Sequence, residues 1–186
     1  MATFGQTAEL NTVTEDPHDR ITGIKGTPAS SGDADSISFY LTSWQAANYK
    51  GALYKTSDWS LKGATSESAI DSTAGAYVWK ILPFAVKPPV LLGTEYLICV
   101  WSDAAVGIGA EWLAANTSYY DADVYDGFPD PLVPTGDDHD VSIYCTYTPS
   151  GQKPQRMMMG VGLMAKTPKF QPRKVVPFKC PLPLFK

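Results

Sequence analysis

Seven aspartates fall within twenty residues of the chain, at 121, 123, 126, 130, 137, 138 and 140. Carboxylates brought together on adjacent loops are the hard oxygen ligands that calcium takes, and Asp121, Asp123 and Asp126 are the candidate metal ligands. The run D-A-D-V-Y-D-G resembles the opening of an EF-hand loop. Its glycine comes one residue late, however, and no glutamate follows at the required spacing. The competing reading is a solvated acidic face built from turn-forming aspartates, which needs no ion at all.

Other chemistry is harder to assemble from this chain. Glycoside hydrolysis needs two acids at a defined separation, and no pair stands out among the many. The two histidines, His18 and His139, sit among aspartates in sequence that reads as exposed loop. No G-x-S-x-G elbow is present to hold a nucleophile, and no phosphate-cradling glycine loop occurs. The expectation is a protein that is not an enzyme. Cys99, Cys145 and Cys180 lack metal-ligand spacing, and the first two lie in apolar runs where a cysteine is a small buried hydrophobe. Among the aromatics, Trp44, Trp59, Trp112, Tyr119, Tyr120 and Tyr125 fall in or beside loops. Trp44 and Trp59 are the candidates for stacking on a sugar ring, against a simpler role of closing the ends of a core.

Charge divides the chain sharply. Residues 1–148 carry 7 basic and 19 acidic side chains, whereas residues 149–186 carry 8 basic and none acidic. Prolines at 168, 172, 177, 181 and 183 exclude a regular helix or an interior strand from this tail. Extended at about 3.1 Å per residue, such an arm reaches on the order of 100 Å, further than the width of one domain. Its cations Lys153, Arg156, Lys166, Lys169, Arg173 and Lys174 alternate with apolar groups. A genome-binding tail would cluster them, so nucleic acid is not the expected partner. A protein-docking strap fits better. Met157, Met158, Met159, Phe178, Leu182, Leu184 and Phe185 would be its anchors, with Arg173 and Lys174 facing carboxylates. The expected domains are 1–149 and the arm 150–186.

Period-two alternation dominates the body. In Ala34–Thr42, Ile37, Phe39 and Leu41 share one face while Ser36, Ser38 and Tyr40 share the other. Tyr49–Lys55, Ala76–Phe84, Glu95–Asp103 and Asp140–Thr148 read as strands too, with Arg20–Lys25 and Thr117–Tyr125 as weaker ones. Val86–Leu92 reads as a hinge between halves. Short strands separated by Gly- and Pro-rich turns predict an all-β, two-sheet antiparallel sandwich of jelly-roll type. MATFGQTAEL has no basic or apolar leader region, so no secretory signal is expected in this numbering, and no run is long enough for a membrane helix.

Four segments, Lys50–Tyr54 (KGALY), Tyr96–Asp103 (YLICVWSD), Tyr125–Pro131 (YDGFPDP) and Ser142–Pro149 (SIYCTYTP), carry a resemblance. Together they resemble a family of single-domain jelly-roll β-sandwich modules of phage and archaeal virions and prokaryotic surface proteins. Cys145 stands where that family has a small residue, and the arm lies outside the resemblance. The resemblance implies a non-enzymatic, carbohydrate-binding-like module. The expected role is a structural virion protein, a capsid-decorating or other accessory subunit. Its arm would dock on copies of itself or on a major structural protein. The alternatives are a surface- or glycan-binding module on the outside of a cell, or a filament subunit donating Met157–Ala165 as a strand.

Overall fold

Alternation of apolar and polar residues becomes two packed antiparallel sheets in the computed structural model, which describes residues 1–112, 118–123 and 125–151. Among these residues there is no helix, and Met1–Gln152 forms one compact unit. The arm residues proposed as anchors, Met157 to Phe185, lie outside the described residues.

The strands in chain order are β1 (Ala2–Gly5), β2 (Val13–Glu15), β3 (Arg20–Gly26), β4 (Gly32–Thr42), β5 (Ala47–Lys55), β6 (Ser60–Ala64), β7 (Ser68–Ile70) and β8 (Val78–Pro83). They continue with β9 (Pro89–Val90), β10 (Tyr96–Ser102), β11 (Gly107–Trp112), β12 (Ser118–Ala122), β13 (Thr135–Asp137), β14 (His139–Val141) and β15 (Ile143–Pro149). The first sheet runs β1-β15-β4-β11-β14, with β2 added to β11 and both β8 and β9 to β4. The second runs β13-β12-β3-β10-β5-β6, with β7 also on β5.

The core lies between the sheets because each strand turns one apolar row inward. Ile37, Phe39 and Leu41 of β4 share a buried cluster with Tyr49 and Leu53 of β5 and with Ile98 and Val100 of β10. The Phe39 and Tyr49 rings meet across it at 5.3 Å. Strand β10 is buried along its whole length, so its other face needs a cover as well. Leu97, Cys99 and Trp101 on that face pack with Ile21, Ala52, Tyr54 and Leu132, and Tyr125 and Phe128 lie against them. The DGFPDP loop thus folds over the second sheet and makes a smaller core outside it. Tyr54 Oη donates to the Pro129 carbonyl at 2.8 Å, and Leu132 N to the Trp59 carbonyl at 3.0 Å, fastening this cover.

The expected strand Asp140–Thr148 is in fact two. At Ser142 the chain changes neighbours, leaving β11 for β4 and β1. The Ser142 hydroxyl donates to the Ala8 carbonyl and accepts from Leu10 N, holding the crossover. Val86–Leu92, read as a hinge, contributes the short β9, whose Pro89 is tolerated because the strand lies at an edge. Strand β11 escaped the pattern altogether, because Gly107 and Gly109 interrupt its apolar run. Gly109 is required there, since a Cβ would come within 2.1 Å of the Leu10 carbonyl oxygen.

Cys99 and Cys145 are free and buried, and burial pushes both thiols up from their ordinary value. A carboxylate fastens the start of β4. Asp35 accepts from Lys87 Nζ at 2.5 Å and from the Thr148 hydroxyl at 2.7 Å. The Lys87 hydrogen bond holds the Asp35 carboxyl below the usual carboxylate value, with Thr148 adding to it. A depressed pKa gives stability that is complete above the unfolded-state value near 4 and is lost as pH falls from there through the lower folded-state value. Because Lys87 is exposed, solvent screens the pair and it contributes only about 0.5–1 kcal/mol. Asp35→Asn is expected to lose that amount at pH 7 and to flatten the acid limb of urea midpoints measured between pH 7 and 3.

Candidate functional site

The acidic loops are organised by backbone hydrogen bonds. Asp121 Oδ2 accepts from Val133 N at 3.1 Å, and Asp130 Oδ1 from Leu61 N at 3.0 Å. Asp126 Oδ1 accepts from Gly127 N, and the backbone N of Asp123 donates to the Asp19 carbonyl. Such contacts are the turn chemistry expected of aspartate. Asp121, Asp123 and Asp126 form no convergent metal-ligand group among the described residues.

A different set does converge. Glu15 at the end of β2, Asp137 at the end of β13 and His139 at the start of β14 bring one ligand atom each within 4.8 Å of the others. His139 Nδ1 lies 2.8 Å from Glu15 Oε1 and 3.2 Å from Asp137 Oδ1. His139, expected to be an exposed loop residue, is instead 8% exposed in a strand. Its ring is covered by Trp112, with centroids 3.9 Å apart. His18 does remain at the surface, beside Asp19. Glu15 is 5% exposed, and its other oxygen, Oε2, accepts from Arg20. Burial raises the Glu15 carboxyl from its ordinary value, against the pull of Arg20 and His139. Asp137 and His139 were visible in the acidic run, whereas Glu15 is 122 positions from Asp137 in sequence and nothing local marks it.

The two stacking candidates part company. Trp44 is 82% exposed and leans over Gly75, where any Cβ would come within 2.2 Å of the indole. Beside it opens a cleft of about 440 Å³ lined by Thr14, Asp16, Thr42, Ser43, Gln45 and Val106. Trp59 is half-buried against the smaller core and packs on Tyr119 at 5.7 Å. Lys25 Nζ lies 4.3 Å from the Tyr119 ring centroid and 5.7 Å from that of Trp59. Trp59 is thus engaged by the fold, whereas Trp44 is the far more exposed of the two rings.

An edge of the first sheet is the third feature. Among the described residues β8 pairs only with β4, so its outer side has no strand neighbour. Ile81, Val86, Leu91 and Leu92, all more than half exposed, fall on this edge strand or between it and β10. On the outer face of the same sheet, Tyr40 packs against Tyr77 and Trp79 at 5.2 Å each, and Trp79 against Tyr144 at 5.1 Å. Trp79 Nε1 donates to Glu9 at 3.0 Å, and Asp33, exposed, lies opposite Pro89 in the ladder. No helix among the described residues is long and apolar enough to cross a membrane. No protein-family model matches the chain, and no curated protein matches it.

Proposed function

We propose that this chain is a non-enzymatic structural subunit of a virion, a capsid-decorating or other accessory protein, whose C-terminal arm docks on a neighbouring copy. The observation that carries this reading is the β8 edge, unpaired among the described residues and bearing exposed Ile81 with Val86, Leu91 and Leu92 close by in sequence. Exposed apolar side chains on an edge strand and in the segment that follows it suit a protein partner better than solvent. The arm supplies the matching chemistry. It carries Met157, Met158, Met159, Phe178, Leu182, Leu184 and Phe185 as anchors and eight cations without an acid, against a strongly acidic body. Asp33 and Glu9 bring negative charge to the same sheet.

The details of the edge favour docking through side chains over plain strand addition. Lys80 sits opposite the buried Phe39, so its Cβ starts on the core side of an edge strand. An inward lysine at an edge blunts indiscriminate pairing. That weighs against a filament built by donating Met157–Ala165. Tethered arms exchanged between copies would add avidity, since each contact raises the local concentration of the next.

Removing residues 152–186 tests the reading. Light scattering at matched concentration is expected to give a mass of two or more chains for the full-length protein and one chain for the truncated form. High salt should shift the full-length protein toward the monomer, because exposed charge pairs are screened. Equal monomeric masses would contradict the proposal. A second reading, binding of surface glycans, rests on Trp44 alone and its cleft of hydroxyl, amide and carboxylate groups. Glycan-array binding that vanishes in Trp44→Ala, with no self-association, would favour it instead.

A further inference from the structure

The Glu15–Asp137–His139 cluster belongs to neither reading above and is carried by geometry of its own. Its three ligand atoms come from three strands, and those strands come from both sheets. β2 and β14 pair with β11 in the first sheet, whereas β13 pairs with β12 in the second. Two carboxylates are packed around one imidazole where little water reaches, and among the described residues Arg20 pairs with Glu15 from the other side.

We propose that His139 Nδ1, Glu15 Oε1 and Asp137 Oδ1 form a binding site for a divalent first-row transition ion of the zinc type. Ligand atoms on a tetrahedral zinc ion sit about 3.3 Å apart, given bonds of about 2.0–2.2 Å. The separations of 2.8 and 3.2 Å from His139 Nδ1 are close to that, so a small opening of the side chains admits the ion. Surroundings that orient the ligands are already built. Arg20 holds Glu15 by Oε2 and leaves Oε1 turned to the cluster, while Trp112 fixes the plane of the imidazole. A nitrogen donor with two carboxylates selects a borderline ion over calcium, which prefers an all-oxygen shell of six or more ligands. Three protein ligands leave a fourth position for water. The ion would clip the two sheets together at this corner of the sandwich.

Calorimetric titration of the full-length, metal-free chain with zinc chloride tests this. One ion per chain is expected, with calcium producing no comparable heat. Cobalt(II) is expected to give a visible d–d spectrum without the thiolate charge-transfer band that cysteine ligation would add. Asp137→Asn, at the most exposed of the three positions, should weaken zinc by tenfold or more, and His139→Ala should abolish it. The metal-free His139→Ala chain must first match the parent's circular dichroism. If it does not, Asp137→Asn and Glu15→Gln decide. Absence of zinc binding, a thiolate band, or unchanged affinity in both carboxamide variants would overturn the assignment.

Discussion

Trp101→Ala is expected to cost about 3–5 kcal/mol, the range for deleting a large aromatic from a packed core. Trp101 is fully buried on the outer face of β10, 5.4 Å from both Tyr125 and Phe128. Lys50 Nζ lies 5.7 Å from its ring and 4.0 Å from that of Tyr125. The indole is thus the floor on which the loop from Tyr125 to Leu132 rests. Its loss opens a cavity and removes the partner surface of the loop in one step. Urea unfolding should show the lowered midpoint, and limited proteolysis should cut the parent slowly but the variant rapidly near residue 128. Full retention of the midpoint would mean that the loop does not depend on this floor.

Trp101 also marks where the amino-acid pattern was informative and where it stopped. Period two in β4 gave its inward row correctly, because Ile37, Phe39 and Leu41 join the core cluster and the alternate Ser36, Ser38 and Tyr40 do not. The run Tyr96-Leu-Ile-Cys-Val-Trp101 has no alternation, since both faces of β10 are covered. One is covered by the other sheet and the second by a loop that sequence cannot place. Strands of two or three residues, such as β2, β9 and β13, are too short to carry a period and exist because a neighbouring strand pairs with them. The same limit hid the cluster of Glu15, Asp137 and His139. A run of aspartates suggested oxygen ligands at Asp121, Asp123 and Asp126, but local turn geometry engages Asp121 and Asp126 in hydrogen bonds to backbone N–H groups. Convergence came instead from β-ladders joining distant segments. His139 reads as a loop residue because Asp137, Asp138 and Asp140 surround it. Only pairing with β11 draws it inside.

Ile81→Lys is expected to reduce self-association by at least tenfold while leaving the fold intact. Ile81 is 62% exposed on β8 and opposite Ser38, so its replacement disturbs no core contact. Surface changes of this kind alter stability by about 0.5 kcal/mol or less. Against a basic, apolar arm, however, the new lysine removes an anchor and adds repulsion, each acting on every docked arm. Sedimentation across a concentration series should place the variant with the truncated chain, whereas Ile81→Leu should stay with the parent. A variant that assembles as the parent does would remove β8 from the docking surface.

Docking requires that the arm of one copy meet the β8 edge of another. A photo-crosslinking residue at position 81, in a mixture of heavy- and light-isotope full-length chains, addresses this contact directly. Mass spectrometry of the crosslinked peptides is expected to join residue 81 to peptides from 153–186 in mixed heavy–light pairs. Crosslinks confined to peptides of the body, or arm crosslinks found only within single-isotope pairs, would contradict it.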